Sequence, residues 1–348
     1  MSGNTLNTPA ARIGATKGAI LKHAIPQESL GITGTMHDLA KNTSDTVKFR
    51  RWLPYGGSTT SATTINRWSV TAAAHELQEG VTPTPDALSA QDITVQMRQY
   101  GAIYYYTDFV EDMYEDDIPK AQKEILGERM GLVREMIRYG ALQGCTNKFY
   151  AGGTTRATVD GKITLNALRV ISKSLKGNRA TFITSVLDAS PKYNTVPVEA
   201  SFLVFVHTDA ENDIRNLEGF KEVAAYGNRK PVHPMELGSC DNYRFIISPE
   251  LGSVVNAGAA VGSTGLYSTG GSNIDIYPFI VVAKDAWGDV ALRGSRSMDI
   301  SHLKPGQKDK SDILGQRGYC GAKFYSAMFV QNDGWCSVLE AGITSLSA

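Results

Sequence analysis

The chain has no run approaching the roughly eighteen apolar residues that a membrane-spanning helix needs. Its first residues, MSGNTLNTPAARIG, lack the apolar core of a secretory signal, so synthesis and folding in the cytoplasm are expected. Charge of either sign is not in excess: 35 Lys and Arg balance 35 Asp and Glu. A dedicated nucleic-acid binder carries a clear basic surplus, so tight, direct DNA binding is disfavoured. Cysteine is scarce, and Cys145, Cys240, Cys320 and Cys336 form no C-x-x-C pair. Four buried free thiols are expected in preference to a zinc site or a disulfide frame.

Chemistry-bearing motifs are equally thin. Gly262–Asn273 is glycine-rich but has no Gly-Lys-Ser/Thr, so it is not a phosphate-binding loop. No Gly-x-Ser-x-Gly elbow occurs. His207-Thr208-Asp209 looks like half a metal site without a second half, and a strand-to-helix turn accounts for it. His23, His37, His75, His233 and His302 are scattered. The acidic run Asp108, Glu111, Asp112, Glu115, Asp116, Asp117 lacks EF-hand spacing; it suits a helix N-terminus better than a calcium site. No catalytic, cofactor or metal residue is assigned.

What is present is a folded chain of 348 residues, 42% hydrophobic and 20% charged, long enough for two domains. Its main feature is a long helix expected over residues 117–144. Leu126, Met130, Val133, Ile137 and Ala141 recur at helical spacing and form the expected core face. Lys123, Glu124, Glu128, Arg134, Glu135 and Arg138 are assigned to the solvent face. Asp116 or Asp117 caps the start, Pro119 fits the first turn, and Gly144 stops the helix. Gly131 leaves room for a close neighbour.

Residues 1–45 are loose and mildly basic. Val47, Phe49 and Arg51 alternate with Lys48, Arg50 and Trp52 in a strand, followed by the polar stretch GGSTTSATT. From Ile93 to Tyr105 the alternation predicts one strand of thirteen residues, about 43 Å at 3.3 Å each. Together these make an elongated hairpin that cannot bury itself and must lie on something else. The aromatic–basic pairs Arg50-Arg51-Trp52 and Arg67-Trp68 suit either stacking on bases or the centre of a protein interface; zero net charge favours the interface. Arg98 joins them as a contact candidate. Further along, Thr164 caps a helix ending at Gly177, and FLVFV (202–206) reads as a strand covered on both faces. Tyr243–Ile247, Ile274–Val282 and Met298–His302 are further strands. Leu251–Gly271 reads as a long mobile loop. Tyr319–Val330 and Trp335–Leu339, joined at Asp333-Gly334, read as a hairpin.

This order of elements resembles the major capsid proteins of tailed bacteriophages, with their α+β Hong Kong 97-type fold, and within them the subfamily that includes coliphage N-four. The residues carrying the likeness are Phe49-Arg50-Arg51-Trp52-Leu53-Pro54, Glu79-Gly80-Val81-Thr82-Pro83, Gln99-Tyr100-Gly101 and Tyr150-Ala151-Gly152-Gly153. Ile280-Val281-Val282-Ala283-Lys284-Asp285-Ala286-Trp287-Gly288 and Gln316-Arg317-Gly318-Tyr319-Cys320-Gly321-Ala322-Lys323-Phe324 complete it. Cys320 and Ala322 depart from the pattern.

The resemblance implies an N-terminal arm (1–45), an extended E-loop (46–106) and a P-domain with the spine helix (107–160). An A-domain (161–289) and returning P-domain strands (290–348) follow. It implies a structural protein, not an enzyme, that assembles with itself into hexamers and pentamers, forming an icosahedral shell around packaged dsDNA. Implied partners are a portal, a separate scaffolding protein and a decoration protein, with DNA contacted weakly and non-specifically. An encapsulin-type shell is the alternative within the fold, and a soluble enzyme the one outside it. About 45 residues before the first strand are too few for a fused scaffolding domain. Lys48 is followed by no lysine until Lys120, so the projecting hairpin lacks an amine for covalent crosslinking.

Overall fold

The computed structural model describes residues 26, 28–53, 70–83, 85–113, 117–187, 195–227, 230–262, 264–292, 298–308 and 312–346. In chain order its strands and helices are β1 (Thr35–Leu39), β2 (Thr46–Trp52), β3 (Ala90–Gln96), β4 (Arg98–Thr107), α1 (Asp108–Met113) and α2 (Ile118–Gln143). Then come β5 (Lys148–Tyr150), α3 (Leu165–Gly177), β6 (Ile183–Leu187), β7 (Thr195–Val206), α4 (Glu211–Arg215), β8 (Lys221–Glu222), β9 (Glu236–Cys240) and β10 (Tyr243–Ile247). β11 (Tyr277–Val282), β12 (Trp287–Leu292), β13 (Asp299–Leu303), β14 (Arg317–Val330) and β15 (Cys336–Ala341) complete the order.

The larger sheet runs β5-β15-β11-β7-β10-β9-β8, with β6 also on β7. β7 sits in its interior and its FLVFV residues alternate between two cores. Phe202, Val204 and Val206 pack with Leu168, Ile171 and Leu175 of α3. Leu203 and Phe205 face Leu30, Tyr139, Leu142 and Trp287. The Thr164 hydroxyl accepts the Ala167 amide and starts α3 as expected. The smaller sheet runs β1-β12-β14-β13, with β4 also on β14.

The spine, α2, is 26 residues long, about 39 Å at 1.5 Å per residue. Asp117 caps it by accepting the Lys120 amide, and Gly144 ends it. Leu126 and Met130 are fully buried against Cys320, Ala322 and Phe324, with Val133 and Ile137 half-buried beside them. Ala141 is half-buried too. The solvent-face assignment fails at Glu135 and Arg138, which are buried. Glu135 lies nine residues from Leu126, about two and a half turns and so half a turn out of phase. The helix is covered on opposite sides: by β14 near its start, and by the second core through Tyr139 and Leu142 near its end.

Three other expectations are corrected. The Ile93–Tyr105 alternation is two strands. At Met97, whose amide bonds the Asp45 carbonyl, the chain leaves β2 and joins β14. The buried parity flips there: Ile93, Val95 and Met97 pack below the hairpin, whereas Tyr100, Ala102 and Tyr104 face α2. The C-terminal runs are not a hairpin. β14 pairs with β4, β12 and β13, while β15 pairs with β11 and β5. The Asn332-Asp333-Gly334 turn, anchored where Gln331 and Asn332 amides donate to the Ala286 carbonyl, carries the chain from one sheet to the other. Finally, Leu251–Gly271 is tied down by the buried Asp275 carboxylate, which accepts the Asn256 amide at 2.8 Å and the Thr269 amide at 3.0 Å.

Candidate assembly interface

The hairpin foot is built from β2 and β3, paired in register from Thr46–Gln96 to Trp52–Ala90. Its inner face carries Val47, Phe49, Ile93 and Val95, which pack on Val290, Ala327 and Phe329. Phe49 stacks on Phe329 with ring centroids 4.6 Å apart. Nothing among the described residues covers the opposite face. Arg50 grips Asp92 across the strands with two bonds, 2.8 and 2.9 Å. That pairing, a cross-strand ion pair, holds Asp92 below the usual carboxylate range. Arg51 is turned inward: its Nη2 donates to Gln91 Oε1 at 2.7 Å, and its buried Nε has no partner. Burial holds that guanidinium below its ordinary value. It lines a recess with His37, Phe49, Ile93, Phe329 and Trp335.

Trp52 closes the described part of β2 and is 60% exposed. Arg98 starts β4 opposite Ser326 and is exposed. Arg67 and Trp68 lie outside the described residues. Of the six contact candidates, then, the fold sets Arg50 and Trp52 on the open face, turns Arg51 inward and places Arg98 beyond the strand break. Beyond the foot, residues 70–83 and 85–89 are exposed throughout, with Leu77 72% and Leu88 81% accessible. Among the described residues, this part of the loop has no core of its own.

Sequence reasoning missed a second feature, a clasp between residues 28–34 and the spine. Glu135 Oε1 accepts the Ser29 and Leu30 amides, both at 2.8 Å, and the Ser29 hydroxyl at 3.1 Å. Arg138 lies between Glu28 (3.1 Å), Glu135 (3.5 Å) and Asp289 (3.8 Å). Burial raises the Asp289 carboxyl, with Arg138 and the Ser326 hydroxyl opposing the shift. The Glu28 carboxylate reaches the helix at Gly131, where a Cβ would sit 2.7 Å from its Oε1. Gly34 is similarly required, since a Cβ there would meet the Trp287 ring at 2.5 Å. The available signal was Glu135 and Arg138 standing one turn apart beside Tyr139 and Leu142.

All four cysteines are buried and free. His207 Nδ1 accepts the Asp209 amide at the strand-to-helix turn. Among the described residues no group of three His, Cys, Asp or Glu side chains is placed to hold a metal.

These elements, a spine helix under a small sheet, a second α/β layer and a hairpin foot, make up an α+β fold. Solved capsids share this fold along nearly the whole chain. The capsid of Ralstonia phage GP4 superposes with a TM-score of 0.65 at 12% identity, covering 100% of both chains. The head of Helicobacter pylori bacteriophage KHP40 gives 0.60 at 14%, over 99% of this chain and 98% of that one. Cyanophage P-SCSP1u gives 0.58 at 14%, over 95% and 93%. No protein-family model matches the chain. In sequence it is 22% identical over 264 residues to the major capsid protein of Pseudomonas phage KPP21, a match covering 70% of this chain and 66% of that protein, just under two thirds. The chain has the Hong Kong 97-type α+β capsid fold and is similar in sequence to a tailed-phage major capsid protein, of which it spans just under two thirds.

Proposed function

We propose that this chain is the shell subunit of a tailed-phage virion, closing as hexamers and pentamers into an icosahedral capsid around packaged double-stranded DNA. The observation that carries the reading is the 264-residue match to a curated major capsid protein, reinforced by fold likeness along the full length. The unsupported hairpin fits it, because a loop without a core gains one only from a neighbour. Zero net charge fits a wall that confines DNA without gripping it. The role is structural, with no catalysis. In this reading 1–45 form the arm, the extended loop runs from 46 to the break at Met97, and 161–289 form the A-domain. The spine and the strands after residue 289 form the P-domain. A portal, a separate scaffolding protein and a decoration protein are its further partners.

Expressed alone or with the scaffolding protein, the chain forms closed particles visible by electron microscopy. Deleting Gly56–Asn66 leaves a cooperatively melting subunit that forms few or none. A wild-type chain that stays monomeric at every concentration, or particles that hold protein cargo in place of DNA, would overturn the reading.

A further inference from the structure

The recess under the hairpin foot holds a charge that the described residues leave unanswered. Alternation along β2 puts Arg51 on the face of Val47 and Phe49, the face that packs on the smaller sheet. Its guanidinium stays protonated at any ordinary pH. Gln91 accepts one of its donors at 2.7 Å, and its Nε is buried with no partner. Burial alone acts on its pKa; among the described residues no carboxylate opposes that effect. Arg50, on the open face, differs: both of its bonds go to the Asp92 carboxylate.

The cavity beside Arg51 has a volume of about 260 Å³, a little below the roughly 300–1,000 Å³ of most ligand sites, so an occupant is small. One wall belongs to the hairpin foot, through Phe49 and Ile93; the other belongs to the body, through Phe329 and Trp335. Both walls are fixed. Phe49 stacks on Phe329, and the Trp335 indole donates to the Asn178 carbonyl at 2.9 Å. Other polar groups around the cavity are occupied. His37 and Gln331 bond each other at 2.5 Å, and Asp285 accepts the Thr35 hydroxyl at 3.2 Å. Asp285 is exposed, and its negative charge disfavours a dianion such as a phosphate monoester. Apolar walls and one uncompensated guanidinium suit a single negative charge on an apolar body.

We propose that this recess binds a small apolar monocarboxylate, its carboxylate accepting from Arg51 and its body enclosed by Phe49, Ile93, Phe329 and Trp335. Guanidinium and carboxylate form charge-assisted bonds, about twice as strong as neutral ones. Because the walls come from the foot and the body, the ligand ties one to the other. Binding here is a property of the subunit and does not depend on the shell reading.

Phenylbutyrate is the probe and phenylbutyramide its uncharged counterpart, each titrated into the full-length subunit by calorimetry and by tryptophan emission. Phenylbutyrate binds once per chain, and the amide binds at least tenfold more weakly. Arg51→Met keeps an unbranched side chain without the charge and weakens phenylbutyrate at least tenfold. Trp335→Phe keeps the heat of binding and loses most of the emission change. Circular dichroism and melting establish that the variants fold; were Arg51→Met not to fold, the comparison of acid with amide on the wild type decides. No binding at millimolar probe, equal binding of acid and amide, or undiminished affinity in folded Arg51→Met overturns the proposal. An emission change that survives Trp335→Phe in full also overturns it, placing the probe elsewhere.

Discussion

Glu135→Ala isolates the clasp that joins residues 28–34 to the spine. The carboxylate is completely buried and receives two backbone amides and a hydroxyl. Each amide left unpaired in the interior costs about 1–3 kcal/mol. Arg138 keeps Glu28 and Asp289 but loses its nearest fully buried countercharge, and breaking such a pair outright costs about 3–5 kcal/mol. The segment has an escape. It can lift off and rehydrate Ser29 and Leu30, which forfeits the burial of Leu30, about 2 kcal/mol. The loss is therefore capped at the docking energy of the segment, and about 3 kcal/mol is expected. Glu135→Gln keeps an acceptor for the amides while exchanging a charge-assisted bond for a neutral one, so about 1–2 kcal/mol is expected. Urea denaturation followed by tryptophan fluorescence gives the global loss; hydrogen exchange at Ser29 and Leu30 gives the local one. In Glu135→Ala both amides exchange at least tenfold faster, and protease cuts within 28–34. Wild-type exchange at these two amides would refute the clasp.

Met130→Ala, which empties a buried site between α2 and β14, costs about 3 kcal/mol by denaturation, whereas Glu124→Gln on the exposed face stays within about 0.5 kcal/mol. Gly34→Ala drives a methyl into the Trp287 ring and costs about 1–3 kcal/mol, with a shift in tryptophan emission; an unshifted, equally stable variant would contradict the contact. Burial lowers His233 below 6.5, so the unfolded chain takes up a proton that the folded one refuses. Its contribution is present above pH 6.5 and lost as pH falls through the folded value; the urea midpoint of the wild type drops more between pH 7 and 5 than that of His233→Asn. Mature particles boiled in detergent with reductant release one band near 37.6 kDa, since no lysine lies between Lys48 and Lys120; ladders of dimers to hexamers would disprove this.

Local order was legible wherever a single face or a single residue decided it. Asp117, Pro119 and Gly144 bound the spine because caps act through their own side chains and backbone. Leu126 and Met130 showed the first buried face because apolar spacing registers one covering surface. FLVFV read as doubly covered because no residue in it tolerates water. Resemblance across the ordered motifs from Phe49 to Phe324 supplied the capsid fold, which periodicity alone could not. Tertiary structure decided what depends on partners distant in the chain. Glu135 and Arg138 are as polar buried as exposed, and it is Glu28, Ser29, Leu30 and Asp289, brought in from more than a hundred residues away, that satisfy them inside. Period-two alternation continues unbroken through Met97, so nothing local marks where one strand exchanges β2 for β14 and flips its buried face. Asp333-Gly334 permits a hairpin as readily as a crossing between sheets; the amides of Gln331 and Asn332 on the Ala286 carbonyl choose the crossing.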